Sequence, residues 1–142
     1  MAVFICNVCG HIEFGSAPEK CPVCGATKFT QNDNVFEESM EKSKEGAHKH
    51  IPSVKVSKEC GLIPEETCWD VIVRIGETLH PSQENHFIQF IDCYIDDNFA
   101  ERVQLTPAVE PAACFHLKTK GAKVRVVEFC NLHGHWQAEA DL

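Results

Sequence analysis

Hydrophobic and polar residues alternate with a period of two along most of the chain beyond Gly46, which is the pattern of half-buried β-strands. Six short segments carry this alternation, and Pro, Gly, Asn and Asp residues separate them. They are residues 54–56, 69–75, 86–95, 102–105, 114–117 and 123–129. Because no long helical pattern lies between these segments, the sequence predicts a mainly β protein built on a β-sandwich.

The chain before this region has a different pattern. Residues 31–44, QNDNVFEESMEKSK, are mostly polar or charged and include good helix formers without a sustained apolar face. Such a segment predicts a linker with one or two helical turns. We therefore expect three parts: a small domain at 1–33, a linker at 34–45 and a larger domain at 46–142.

The small domain contains two Cys-x-x-Cys-Gly motifs, which are the usual knuckles of a tetrahedral metal site. So short a segment cannot fold on a hydrophobic core alone, so a metal must contribute to its stability. An odd total of nine cysteines, in a chain without a secretion signal, also favours metal ligation over disulfides. Iron and zinc both suit the four predicted ligands, which are Cys6, Cys9, Cys21 and Cys24.

Charge and hydropathy narrow the range of partners. The formal net charge is −8 and the lysines are scattered among glutamates, which argues against nucleic acid or an anionic membrane as a partner. The apolar runs are far shorter than the roughly 20 residues that span a bilayer. Residues 1–14 lack the basic start and apolar stretch of a signal peptide, so we expect a cytoplasmic protein.

The larger domain contains histidines and a cysteine near the ends of its predicted strands. Loops at one end of a sandwich can converge on a single metal ion, and four neutral imidazoles with one thiolate would suit iron. A structural zinc site normally closes at four ligands, whereas this set would leave a sixth position of iron open. The residues are His50, His80 and His86 in HPSQENH, and Cys130 and His133 in CNLH.

These motifs, in this order, resemble the catalytic domain of superoxide reductases, the desulfoferrodoxin and neelaredoxin group. That family has Glu-Lys-His, then His-Pro-x4-His, then Cys-Asn-x-His-Gly, and the resemblance covers residues 46–142. It implies an immunoglobulin-like β-sandwich that reduces superoxide to hydrogen peroxide at a ferrous centre without making dioxygen. It also implies that the histidines bind iron in a plane, the last through Nδ1 and the others through Nε2, with Cys130 axial.

The resemblance implies roles for two residues in catalysis. The Cys130 thiolate donates charge toward iron and favours release of the peroxide. Lys49 attracts the anionic substrate and orients a water that supplies protons. The family's glutamate before this lysine is replaced by His48, so the oxidised iron is expected to hold water, hydroxide or a carboxylate such as that of Glu45.

The small domain is similar to the rubredoxin-like modules of rubrerythrins. In the usual desulfoferrodoxin module the second cysteine pair is adjacent, whereas Pro22 and Val23 separate the pair here. The resemblance, and an aromatic wall expected from Phe4, Phe14 and Phe29, favour iron in this site, while zinc stays an alternative. Iron would make a red, rubredoxin-like centre that carries electrons, whereas zinc would only stabilise the fold of the small domain.

Several further residues carry lesser expectations. We interpret His48 and His135 as ordinary exposed polar residues, and His11 and His116 as structural. Cys93 and Cys114 lie in strand patterns and are expected to be buried as small apolar groups. The Asn131 amide could donate to the sulfur of its neighbouring cysteine. No role is assigned to Cys60 and Cys68.

Three functional classes remain open at this stage. They are a superoxide reductase, a rubredoxin-like electron-transfer protein and an iron-dependent sensor of oxygen species. A carrier needs no vacant metal position and a sensor needs an output domain, so the ligand set favours the enzyme. The expected partners are superoxide, a small electron donor such as rubredoxin, and further copies of the chain in a homodimer or homotetramer.

Overall fold

The computed structural model describes residues 1–59, 62–63, 68–118 and 121–142. The elements before the sandwich are β1 (Val3–Cys6), β2 (Ile12–Phe14), β3 (Phe29–Gln31), α1 (Val35–Lys42), a 3-10 turn (Lys44–Gly46) and α2 (Ala47–His50). The sandwich strands are β4 (Pro52–Ser57), β5 (Trp69–Ile75), β6 (Ile88–Ile95), β7 (Asn98–Gln104), β8 (Ala112–Leu117), β9 (Lys123–Cys130) and β10 (Gly134–Asp141).

Two antiparallel sheets form the sandwich. One has the strand order β10-β9-β6-β7 and the other the order β4-β5-β8. The predicted alternation is visible in β5, where Val71, Val73 and Ile75 are buried while Ile72 and Arg74 between them are exposed. The inward side chains of both sheets make one core, and the predicted fold class is confirmed.

The two largest differences from the predicted strands concern β10 and the start of β7. Strand β10 was not predicted, because polar and charged residues interrupt its apolar positions; its pairing with β9 over its whole length fixes it as a strand. Strand β7 begins four residues before the predicted start at Arg102. Asp96 and Asp97 adopt positive φ angles of 48° and 64°, and this two-residue turn lets pairing with β6 begin directly at Asn98.

The segment predicted as a linker forms the helix α1, so the expected helical turns are present. Its first two residues, Val35 and Phe36, are buried, although the rest of the helix is largely polar. They belong to a second apolar cluster, in which Val3 and Ile12 of the small domain meet Tyr94 and Val127 of the sandwich. Two apolar side chains therefore suffice to pack the segment between the two domains.

A buried ionic network also joins the small domain to the sandwich. Asp92 on β6 is fully buried and accepts hydrogen bonds from Arg102 on β7, with Nε–Oδ1 and Nη2–Oδ2 distances of 2.6 and 2.8 Å. The Nδ1 atom of the fully buried His11 lies 3.2 Å from the same carboxylate, and its Nε2 atom contacts Glu13. Arg102 also donates to the carbonyl oxygen of Cys9 at 3.4 Å.

Candidate metal centres

The four predicted cysteine ligands of the small domain lie together. Their sulfur atoms are all within 4.8 Å of one another, and the Sγ–Sγ distances are 3.6 Å for both Cys6–Cys24 and Cys9–Cys21. A tetrahedron of thiolates with metal–sulfur bonds of about 2.3 Å has edges of about 3.8 Å. The sulfur atoms are therefore already spaced for one tetrahedral ion, and either iron or zinc fits this donor set.

The knuckle turns explain how the sequence brings these sulfur atoms together. Gly10 donates its backbone N–H to the carbonyl of Cys6, and Gly25 donates to that of Cys21. Both glycines adopt φ of 79°, a left-handed conformation that residues with a side chain rarely take. Burial would raise the pKa of the Cys6 thiol, but the backbone N–H groups of Cys9 and Val8 lower it to about 7.

The second set of predicted ligands converges at one end of the sandwich. His50 ends α2, and Cys130 ends β9. His80 and His86 lie between β5 and β6, and His133 lies in the short turn between β9 and β10. Cys130 pairs with Ile88 of β6 on one side and with Gly134 of β10 on the other. The start of β6, the end of β9 and the start of β10 therefore lie at the same end of the sheet, next to the loop that contains His80 and His86.

The four imidazole rings form a square. Adjacent ring centroids are 4.8 Å apart for His50–His80, 4.6 Å for His80–His86, 5.0 Å for His86–His133 and 4.8 Å for His133–His50. The diagonal between His50 and His86 is 6.3 Å, and adjacent rings stand at 70–78° to each other. The four rings therefore surround one common centre, each standing nearly perpendicular to its two neighbours.

The thiol of Cys130 completes this group. Its Sγ atom lies 3.5 Å from Nε2 of His80 and 3.7 Å from Nδ1 of His133. Ligand atoms of His50, His80, His86 and Cys130 all lie within 4.8 Å of one another, whereas His133 approaches this set mainly through the sulfur. Backbone N–H groups of Leu132 and His133 act on the sulfur, and they partly oppose the rise in the pKa of the thiol that burial causes.

Hydrogen bonds fix which nitrogen of two rings faces the centre. The Nδ1 atoms of His50 and His80 donate to the carbonyls of Gly46 and Pro81, each at 2.7 Å. Their Nε2 atoms therefore keep a lone pair for a metal. In the described part of the chain, the buried Nε2 atoms of His50 and His86 have no hydrogen-bond partner, which is what a metal ligand without its metal would show.

Burial keeps these histidines neutral, as metal ligation requires. It lowers the pKa of His50 and His86, and it lowers the pKa of His80 to about 4. After burial and the neighbouring His133, the positive charge of Lys49 contributes to the lowered pKa of His86. Lys49 is exposed, so its charge faces solvent. Its effect on His86 places that charge beside the centre.

A surface cleft reaches this group of ligands. It is lined by residues 41–46 together with His50 and His133. Glu45, the carboxylate expected to approach the oxidised iron, lies in this lining and is exposed. His48 lines a separate depression on the other side of α2 and is exposed, as expected.

Strand β10 also touches the four-cysteine unit. His135 is buried, and its Nε2 atom lies 2.7 Å from the carbonyl oxygen of Gly10, next to Cys9. The interpretation of His135 as an exposed polar residue is therefore wrong, because the small domain covers this end of β10. This hydrogen bond therefore links a residue next to Cys9 to a residue two positions after His133.

Two other expectations, on Cys114 and Asn131, differ from the structure. Cys93 is fully buried, as predicted, but Cys114 is exposed because it lies on the outer face of β8. The Asn131 amide does not donate to sulfur; its Nδ2 donates to the carbonyl of Asn85, and its Oδ1 accepts from the backbone of Phe87. Asn131 therefore ties the loop that contains His86 to the turn between β9 and β10. Cys60 lies outside the described residues.

Glu128, which lies two residues before Cys130, was not among the predicted site residues. Its side chain is fully buried on the core side of β9, and its carboxylate has no hydrogen-bond partner among the described residues. Burial raises the pKa of this carboxyl well above its ordinary value, because burial disfavours its charged form. The alternation of β9 was the available signal, because Val124, Val126 and Cys130 share its face.

The fold and the two ligand sets together define a mainly β metalloprotein with a rubredoxin-like site and a non-haem iron site. Residues 40–139 match the family model described as Desulfoferrodoxin, and residues 4–29 match the model described as Rubrerythrin, rubredoxin-like domain. The chain belongs to the desulfoferrodoxin family. The prediction of two iron-binding groups, one of four cysteines and one of histidines with a cysteine, is confirmed at this level.

Named relatives agree with this assignment. The chain is 36% identical to a desulfoferrodoxin of Syntrophotalea carbinolica over 98% of this chain and 96% of that protein. It is 34% identical to a superoxide reductase of Pyrococcus abyssi over 66% of this chain and 87% of that protein. The structure of a superoxide reductase from Giardia intestinalis matches with a TM-score of 0.56 at 28% identity, over 67% of this chain and 99% of that one. No described helix is long and apolar enough to cross a membrane.

Proposed function

We propose that this protein is a superoxide reductase, which reduces superoxide to hydrogen peroxide at an iron held by His50, His80, His86, His133 and Cys130. The observation that carries the proposal is the square of imidazoles with the Cys130 sulfur against it. A closed structural site would need only four ligands, whereas these five leave one position of an octahedral ion open for a small anion.

Iron bound by these ligands would supply one electron to each superoxide, and two protons from solvent complete hydrogen peroxide. The surrounding residues hold the ligands for this purpose. The carbonyl groups of Gly46 and Pro81 orient the imidazoles of His50 and His80. Asn131 ties the turn between β9 and β10 to the loop that contains His86. These contacts fix the ring nitrogens before a metal arrives, so little reorganisation is needed on binding.

Cys130 is the ligand that distinguishes this centre from an all-histidine site. As a thiolate it donates more charge to a metal than imidazole does, and this favours release of an anionic product. The backbone N–H groups of Leu132 and His133 moderate that charge at the sulfur. Glu128 lies two residues before Cys130 on the same face of β9, and after burial its carboxylate adds to the rise in the pKa of the Cys130 thiol.

Lys49 is the residue proposed to guide the substrate. Its exposed ammonium lies next in sequence to His50 and acts electrostatically on His86. The net charge of the chain is −8, so an anion needs a local attraction at this site. Ferrous iron with four neutral imidazoles and one thiolate carries a net charge of about +1, and Lys49 adds a second positive charge beside it.

The proposed reaction can be tested by mixing the fully reduced protein with less than one equivalent of superoxide. We expect one hydrogen peroxide and one oxidised catalytic iron for each superoxide consumed, with no dioxygen. Dioxygen at half the amount of superoxide would instead identify dismutation. The absence of any reaction at the iron would leave electron transfer as the function and would overturn the proposal.

Replacing Lys49 with Ala is expected to slow the second-order reaction with superoxide. At about 7 Å, a lysine and superoxide attract by roughly 0.6 kcal/mol in bulk water and about 2.4 kcal/mol at an effective dielectric constant of 20. The expected loss of rate is therefore about 3-fold to 60-fold. Because the attraction acts before contact, the rate of the unmodified protein should also fall as added salt shortens the Debye length.

Pulse radiolysis at several ionic strengths measures both effects. The matched control is Lys58→Ala, which removes the same charge just beyond the far end of β4. That lysine lies six residues from Pro52, roughly 20 Å along an extended strand and beyond the Debye length at physiological salt. If the two variants retained the same rate and salt dependence as the parent, Lys49 would have no part in substrate capture.

A further inference from the structure

A third group of metal-ligating side chains lies on the outer face of the three-stranded sheet. Asp70 on β5 and His116 on β8 are directly paired across the two strands, and Cys68 lies two residues before Asp70. Side chains two residues apart in an extended chain point to the same face, so the three converge. Their candidate ligand atoms are Sγ of Cys68, Oδ1 of Asp70 and Nδ1 of His116, all within 4.8 Å of one another.

The spacing of these atoms is that of one face of a metal tetrahedron. The distances are 3.5 Å for Sγ–Oδ1, 3.9 Å for Sγ–Nδ1 and 2.9 Å for Nδ1–Oδ1. Zinc bonds of about 2.3 Å to sulfur, 2.05 Å to nitrogen and 2.0 Å to oxygen give tetrahedral edges of about 3.5, 3.6 and 3.3 Å in the same order. Shifts of a few tenths of an ångström would bring the three atoms onto these edges.

The burial of the group is also suited to a bound ion. Cys68 is buried, with 6% of its surface exposed, while the side chains of Asp70 and His116 are 17% and 33% exposed. A sulfur at the base and two partly exposed ligands form a site that an ion can enter from solvent. One thiolate, one carboxylate and one neutral imidazole would leave a divalent ion nearly neutral, which lowers the cost of partial burial.

This group is separate from the catalytic ligands. Along the β4–β5 hairpin, Pro52, two residues after His50, pairs with Ile75, whereas Asp70 pairs with Ser57 at the opposite end. The six residues from Asp70 to Ile75 span roughly 17 Å in an extended strand. An ion here would hold β5 to β8 far from the superoxide-reacting centre, so its role would be structural.

We propose that Cys68, Asp70 and His116 form a zinc site that fastens β5 to β8. Zinc accepts sulfur, nitrogen and oxygen donors together and prefers four-coordinate tetrahedral geometry. The three side chains supply three of those positions, and water fills the fourth. The inference does not depend on the reaction catalysed at the iron.

The proposal is tested on the iron-loaded, full-length protein under a reductant, titrated with zinc chloride. We expect one equivalent of zinc to bind while the visible absorption of both iron centres stays unchanged. X-ray absorption at the zinc edge reports only this metal, and it should show one sulfur with two or three nitrogen or oxygen neighbours. Zinc without a sulfur neighbour, or with four sulfur neighbours and a loss of iron absorption, would overturn the proposal.

Variants then identify the ligands. Cys68→Ser should remove the sulfur neighbour from the zinc spectrum, and His116→Ala should weaken zinc binding by about 100-fold or more, since even the loss of an outer-shell partner costs 10- to 100-fold. The control is His48→Ala, which removes another exposed histidine. Equal weakening by the two histidine variants, or a sulfur neighbour retained in Cys68→Ser, would show that zinc binds elsewhere on the surface.

Discussion

Replacing Cys130 with Ser is expected to abolish turnover, even where some iron stays bound. The buried sulfur lies 3.5 Å from Nε2 of His80 and 3.7 Å from Nδ1 of His133, and it is the only thiol near the imidazole square in the described part of the chain. Serine would provide a far less charge-donating ligand, so peroxide release should slow by about 100-fold or more, beyond the 10- to 100-fold typical of outer-shell changes. The thiolate-to-iron charge-transfer band of the oxidised protein should disappear.

The comparison variant for this prediction is Cys93→Ser. Cys93 is an equally buried thiol in the core of the same sandwich, but it is not among the candidate ligands. It should keep both the charge-transfer band and the yield of peroxide, apart from a modest loss of stability. Normal peroxide release by Cys130→Ser with a full complement of iron would disprove the role of the thiolate.

Replacing Asp92 with Asn should destabilise the protein by about 3–5 kcal/mol. Asp92 is the buried counter-ion of Arg102, whose side chain is only 8% exposed, and Nδ1 of His11 lies 3.2 Å from the same carboxylate. Asparagine has the same shape but removes the charge, so the guanidinium would be left buried without its partner. The free energy of unfolding, measured with urea on the iron-loaded protein, tests this expectation.

Asp97→Asn is the matched control, because Asp97 also pairs with an arginine, Arg125, at 2.8 Å. Here the carboxylate is 33% exposed, and Arg125 keeps Glu139 as a second partner at 2.9 Å. The expected cost is about 1 kcal/mol or less, as for partly exposed ion pairs. Equal losses in the two variants would mean that burial of the Asp92 network does not set its contribution.

The motifs were readable from the sequence because each one is short. The two Cys-x-x-Cys-Gly motifs, the HPSQENH segment and the CNLH segment place their ligands within a few residues of one another. Local turn chemistry, such as the left-handed glycines Gly10 and Gly25, then sets the local geometry without help from the rest of the fold. Alternation likewise predicted most sandwich strands, because the period of two is a property of the strand itself.

The contacts between the two domains could not be predicted from short sequence motifs. The polar segment around Val35 and Phe36 becomes a packed helix only because Val127 and Tyr94 lie beneath it. His135 is buried only because the knuckle of Gly10, 125 residues away in the chain, covers it. Neither partner can be inferred from neighbouring residues, since the pairing depends on how two domains dock.

The sequence by itself determined the ligand types, their spacing within each motif and the β-sandwich class, since all of these depend on residues close together in the chain. Only the tertiary structure decided that Cys114 faces outward and that Cys68, Asp70 and His116 meet. The register between β5 and β8 places Asp70 opposite His116. A shift of one residue would send each side chain to the other face, so register, which the sequence pattern alone leaves open, creates that third site.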